Sequence, residues 1–371
     1  MKRTRFALGL ISSVFALAAH AQSNMTLYGI LDLGYLYTNY ATGPSSSEIA
    51  DGIQSQSRFG IRGNERLAPD LNASFTLEGG ISADTGQSQQ SGRLFGRQAW
   101  ASLVTSLGAV RLGRQYGIGY EYFLSDTSPF GTTFRDAGTG SVFSSASGRL
   151  ILDNVAMIRV GDVGALGGAV GYSFNADGSE AAGTGSNTNA WTAGARIRTD
   201  SFYVAASYED FHCPDTTTGT AFNTCNAVVR EHQSHWQVGG SYAFSVFRLY
   251  GMWGLEENQF TLFAVTPAKR AQVYEIGAKV KVLGGEFLAA YQGRDDDFKA
   301  NLDVWGVGFT YPFSRRTNVY AFVSDTSADG DPTPQILSGD QIVQEGYTPS
   351  QISAYRQRDR LQFAVGLRHN F

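Results

Sequence analysis

Between Asn72 and Ser82 the chain alternates, with Ala73, Phe75, Leu77, Gly79 and Ile81 on one side and Asn72, Ser74, Thr76, Glu78 and Ser82 on the other. Strand side chains point by turns to opposite faces, so this period of two describes a ribbon that is dry on one face and wet on the other. The pattern returns along the chain. In Thr26–Tyr37, Leu27, Leu31, Leu33, Tyr35 and Tyr37 oppose Asp32 and Gly34, and after Gln56, Phe59, Ile61 and Gly63 oppose Arg58, Arg62 and Asn64. Tyr274, Ile276, Ala278 and Val280 likewise oppose Glu275, Gly277, Lys279 and Lys281. Asp32, Arg62 and Glu78 are thereby expected to line a wet interior.

The front of the chain carries an export address. Lys2, Arg3 and Arg5 precede an apolar stretch from Phe6 to Ala18, and Ala19-His20-Ala21 ends it as a small-x-small cleavage site. Residues 1–21 therefore read as a signal peptide and residues 22–371 as a single mature domain. Beyond Ala21 no uninterrupted apolar run exceeds the five residues of Phe202–Ala206, far below the roughly 20 that a spanning helix needs. In lipid, the other structure that satisfies every backbone N–H and C=O is a closed β-barrel, whose strands are short and alternating. The expected fold is all-β, a transmembrane antiparallel barrel.

Its size follows from chain length. Short connections (Ser106-Leu107-Gly108, Gly161–Gly164, Thr199-Asp200-Ser201, Leu283-Gly284-Gly285 and Tyr311–Arg316) largely alternate with long polar ones: Ala41–Gln54, Tyr116–Gly148, Ala176–Asn189, Phe211–Glu231, Asn258–Arg270 and Asp325–Gln357. Sixteen strands of about 10 residues with eight turns of about 4 consume about 192 residues and leave external loops averaging about 20. A barrel of that size encloses an aqueous channel. The last strand fits the scheme, with Leu361, Phe363, Val365, Leu367, His369 and Phe371 on one face, and the chain stops at Phe371.

Without the three basic residues of the leader, the mature chain has 26 positive against 33 negative side chains. Such a balance, with no Lys/Arg run, argues against a nucleic-acid partner. Cys213 and Cys225 share one long connection of an exported chain and are expected to form a disulfide. A zinc site recruiting His212, His232 and His235 would need ligand spacings that the sequence does not have, so neither a metal nor another cofactor is expected. Asp84-Thr85-Gly86, Asp126-Thr127-Ser128 and Asp325-Thr326-Ser327 evoke aspartic proteases, but they fall in Gly/Ser/Gln-rich connections rather than after buried strands, and no enzyme is expected.

Five segments in order, Thr26–Asp32, Ser57–Gly63, Gly108–Gln115, Tyr311–Thr317 and Gly366–Phe371, resemble the Gram-negative general porins of the Neisseria and Burkholderia type. The resemblance covers essentially the whole mature chain. It implies a 16-stranded barrel in the outer membrane, a homotrimer, and a C-terminal Phe371 read by the outer-membrane assembly machinery. It also implies a third external loop, here about residues 116–148, folded into the lumen with Pro129-Phe130-Gly131 at its bend and Glu121, Asp126 and Asp136 along it. Opposite these acids the family places wall arginines, which by position are Arg58, Arg97 and Arg149. The alternation itself points Arg97 outward, since it shares parity with Ala99, Ala101 and Leu103, and Leu150-Ile151-Leu152 obscures the direction of Arg149.

A basic wall facing an acidic loop would set a transverse field and enrich one ion sign at the narrowest point. The expected function is passive diffusion of ions and small hydrophilic solutes, with slight anion preference. An outer-membrane barrel acting through its external loops as an adhesin or surface enzyme shares the leader and closing strand, and is the alternative.

Overall fold

The computed structural model describes residues 23–123, 126–131, 134–139, 142–143, 151–162, 164–176, 178, 188–212, 233–257, 270–297, 299–328, 330 and 358–371. The leader, Arg149, His232, Cys213 and Cys225 lie outside the described residues.

Sixteen strands form the wall: β1 (Ser23–Tyr40), β2 (Arg58–Ala68), β3 (Leu71–Ser82), β4 (Gln98–Thr105), β5 (Gly108–Tyr116), β6 (Ile151–Val160), β7 (Leu166–Ser173) and β8 (Asn189–Arg198). They continue as β9 (Phe202–His212), β10 (Gln233–Ala243), β11 (Phe247–Glu257), β12 (Arg270–Val282), β13 (Gly285–Asp296), β14 (Leu302–Pro312), β15 (Thr317–Ser327) and β16 (Arg360–Asn370). Two shorter strands, Ser46–Asp51 and Gln87–Ser88, lie within the first and second long connections. Each wall strand pairs antiparallel with the next, and β16 returns to β1 in a register running from Ile30↔Asn370 to Tyr40↔Arg360. The barrel is closed, as the alternation and the length arithmetic predict.

The last residue completes the seam. Phe371 exchanges both backbone hydrogen bonds with Gly29, each at 3.1 Å. Its ring fills the space over that glycine: a Cβ at residue 29 would lie 2.2 Å from Phe371 Cζ and 2.7 Å from the Arg58 carbonyl. Glycine is therefore required where the barrel closes.

The outward positions are apolar and uncovered, with Leu27 65%, Ile158 61% and Ile276 66% exposed. An apolar band around the whole wall is a surface for lipid rather than water. Aromatic pairs mark both rims of the band. Tyr172 and Trp191, 4.7 Å apart, stand beside the long connection after β7, whereas Phe244 and Phe247, 4.4 Å apart, and Tyr311 and Phe313, 5.7 Å apart, stand at short turns.

One strand departs from simple alternation for a visible reason. On β5 and β6, Gly113 pairs with Val155 but Gln115 pairs with Leu152, so Asp153 and Asn154 together oppose Arg114, and Asn154 takes a left-handed φ of 54°. This β-bulge reverses the parity of the strand. Leu152, Val155 and Met157 are all buried inside the barrel, which accounts for the blurred pattern around Leu150-Ile151-Leu152.

Val365 lies midway along β16, faces outward, and pairs with Tyr35 and Ala321. Val365→Arg is expected to destabilise the folded barrel by about 2–4 kcal/mol, measured by urea titration in lipid vesicles, whereas Val365→Leu should leave the midpoint unchanged.

Candidate functional site

The third long connection, hereafter L3, leaves β5 and runs inside the barrel. It opens with a single helical turn, Ile118–Glu121. The Ile118 N–H donates to Thr192 Oγ1 at 2.6 Å and the Gly119 N–H to Glu209 Oε1 at 3.1 Å. Glu209 also bonds His235, at 2.6 Å. A Cβ on Gly119 would sit 2.6 Å from Glu209 Oε2, so a larger residue there would displace the Glu209 carboxylate.

L3 then follows the inner wall towards β16. The Phe130 ring lies over Gly306 and Gly308, where added Cβ atoms would come within 3.1 and 3.0 Å of it. Phe134 packs edge-on against Tyr320 and Phe322, with ring centroids 5.7 and 5.9 Å away. Two buried apolar clusters form in this way, one around Ile118, Phe123, Phe143, Leu152 and Met157, the other around Ile53, Phe130, Phe134, Leu288 and Phe322. The core of the molecule thus lies between an inserted loop and one side of the wall. Each fully buried Phe or Leu contributes about 1.5–3 kcal/mol to holding the loop there.

Each of the three acids expected to face the basic wall is held by an arginine on its own side. Glu121 meets Arg159 at 2.8 Å and Arg111 at 3.7 Å, and Asp126 meets Arg198 at 2.7 Å. Asp136 takes Arg360 through two bonds of 2.5 and 2.6 Å, with Arg358 at 3.9 Å and the Thr326 hydroxyl at 3.3 Å. Burial works to raise the Asp136 carboxyl, but the Arg360 hydrogen bonds and the charges of Arg360 and Arg358 outweigh it and hold the group below the ordinary carboxylate value. The sequence reading missed Arg159, Arg198 and Arg360 as partners. Their signal was an arginine near a strand end, which by itself reads as a solvated terminus.

On the wall of β2 and β3, Arg58 and Arg97 converge on Glu78. Arg97 Nε donates to its carboxylate at 2.8 Å, Tyr28 donates at 3.0 Å, and Arg58 approaches to 4.0 Å. Arg97 precedes the first paired residue of β4, so parity along that strand does not govern it. It points inward, 1% exposed, and donates to Tyr116 Oη at 2.5 Å and to Gln56. Arg62 is exposed, stacks over Tyr28 at 5.2 Å and forms no ion pair among the described residues. Nearby, Arg93 and Arg114 share Asp153 at 2.7 and 2.5 Å. On this wall four arginines thus share two carboxylates, Glu78 and Asp153, with Arg62 as a fifth that stacks on Tyr28. Asp32, expected to line the lumen, does point inward but is wholly buried; it accepts hydrogen bonds from the Ser55 N–H and the Tyr320 hydroxyl, each at 2.5 Å.

A carboxylate whose native pKa is depressed contributes stability above its unfolded value, about 3.9, and loses it as pH falls through the native value. Asp136 should therefore anchor L3 at all pH above about 4. Channel recordings are expected to show steady open currents from neutral pH down to that point and increasing noise below it. Asp136→Asn, which leaves Arg360 without its counter-charge at a cost of about 3 kcal/mol, should reproduce the noise at neutral pH.

The family model for Gram-negative porins matches residues 7–331. An outer membrane porin of Bordetella pertussis is 30% identical, covering 87% of this chain and 94% of its own length, and outer membrane porin protein 32 of Delftia acidovorans is 29% identical across the full length of both. Among solved structures, the anion-selective porin from Comamonas acidovorans superposes with a TM-score of 0.69 at 22% identity, covering 94% of this chain and all of that one. OmpF of Salmonella typhi does so with 0.63 at 19%, covering 94% and 97%. A closed sixteen-stranded wall, an inserted third loop and sequence similarity along nearly the whole chain place this protein in the Gram-negative porin family, in the outer membrane.

Proposed function

We propose that the protein is a general diffusion channel for ions and small hydrophilic solutes with a mild preference for anions. The observation that carries the preference is the distribution of charge around L3. Its acids are each tied to an arginine, while the wall from β2 to β6 holds Arg58, Arg62, Arg93, Arg97 and Arg114 against Glu78 and Asp153. The deficit of positive charge is a sum over the whole mature chain rather than a property of the constriction. Screening over about 8 Å at physiological salt leaves the constriction to be governed by its nearest charges. Solutes cross by diffusion, with no reaction and no cofactor.

The working unit is a homotrimer in outer-membrane lipid, exported with a leader cleaved after Ala21 and assembled through the strand that ends at Phe371. Family membership supports both the trimer and the assembly route. An unheated gel band that collapses to monomer on boiling, with Gln22 as the first residue of the purified protein, checks the trimer and the cleavage.

In a planar bilayer under a KCl gradient, the protein is expected to give conductance steps and a reversal potential on the anion side. Arg58→Glu should lower the anion-to-cation permeability ratio about two- to threefold. An unchanged reversal potential would remove Arg58 from the path of the ions.

A further inference from the structure

The first long connection does not stay outside the barrel. After Tyr40 the chain turns, and Ser46–Asp51 pairs back along the upper half of β1 from Thr38 to Leu33. β2 then takes up the same edge at Ile30↔Arg58. Between these pairings, residues 52–57 oppose only Leu31 and Asp32, so six residues stand where the ladder has room for two.

The surplus chain goes inward, because its partners are inward-facing groups of three successive strands. On β1, Asp32 takes the Ser55 N–H through its carboxylate and the Gly52 N–H through its carbonyl, the latter at 2.9 Å. On β16, Arg368 Nε donates to Ser55 Oγ at 2.7 Å, and on β15, Asn318 Nδ2 donates to Gln54 Oε1 at 2.7 Å. Ile53, fully buried, enters the same apolar cluster as Phe134 of L3. Arg135 of L3 donates to the Asp51 carbonyl at 3.1 Å, joining the two inserted segments. At its other end the segment holds the basic wall, with Gln56 accepting Arg58 Nε on its carbonyl at 3.0 Å and Arg97 on its side chain.

We propose that residues 52–57 are a second constriction element, which continues the collar begun by L3 across β15, β16 and β1 and orients Arg58 and Arg97 through Gln56. L3 alone covers the wall only as far as β16, where Asp136 meets Arg360. The inserted segment carries the narrowing from there to the basic wall, so the open lumen at this level is bordered by L3, by this segment and by the arginines. Asp32 and Tyr320 act as its positioning residues: they hold the segment and do not touch the solute.

This inference rests on the channel reading, which the parent protein's own conductance steps test separately. The experiment uses full-length protein with Cys213→Ser and Cys225→Ser, carrying Gln54→Cys as its one thiol, incorporated into a planar bilayer. A cationic methanethiosulfonate reagent is expected to reduce the conductance step by about one third and shift the reversal potential further to the anion side. A companion variant, with residues 53–56 replaced by Gly-Gly, should conduct about 1.3–2-fold more than the parent and admit larger neutral sugars into vesicles. If the shortened chain fails to form heat-modifiable trimers, the thiol experiment decides alone. A thiol that the reagent cannot reach in open channels, or complete labelling by mass with unchanged conductance, overturns the proposal.

Discussion

A peptide group in hydrocarbon has no water to fall back on, and this obligation to pair every N–H and C=O shapes everything else in the molecule. Sixteen short strands meet it only by closing on themselves, and closure leaves a wide aqueous interior. The wall has no conventional core of its own, because its outer face belongs to lipid and its inner face to water. Selectivity must then come from chain brought inside. L3 and the 52–57 segment supply that chain, and the apolar clusters of the protein form where they touch the wall.

Holding polar chain inside a wet tube calls for specific attachment, and the arginine pairs provide it. Glu121, Asp126 and Asp136 are taken up as anchors by Arg159, Arg198 and Arg360, so these acids of the loop are held in ion pairs. Attachment and selectivity are therefore one electrostatic problem. The arginines that dock the loop pair with its acids, and on the wall from β2 to β6 five arginines stand against Glu78 and Asp153. The described ion pairs are thus not a plain confrontation of an acidic loop with a basic wall.

The sequence was legible wherever a strand meets lipid on one side and water on the other. β1, β2, β3, β12 and β16 show the period of two directly, and the strand number follows from length. It was illegible where inserted chain replaces water. Leu152, Val155, Leu288 and Phe322 are apolar on the inner face because L3 covers them, and the Asn154 bulge shifts parity partway along β6. Arg97 misled for a related reason, since it stands just outside the ladder whose parity was applied to it. The second long connection, residues 83–97, is missing from the long connections read from the sequence, although Asp84-Thr85-Gly86 stands in a Gly/Ser/Gln-rich stretch. Nor could alternation reveal that residues 52–57 turn inward, for that depends on Asp32 and Tyr320, which are 288 positions apart.

The seam between Gly29 and Phe371 also sets the order in which the molecule can be made. β1 spends its whole life before closure with one edge open, waiting for the final residues of the chain. Without β16 the cylinder stays open, and an open strand edge is a template for pairing with any other chain. Contacts this distant in sequence also form slowly. Until β16 is in place, the edge of β1 from Ile30 to Tyr40 has unpaired N–H and C=O groups, and closing it joins the two ends of the described wall.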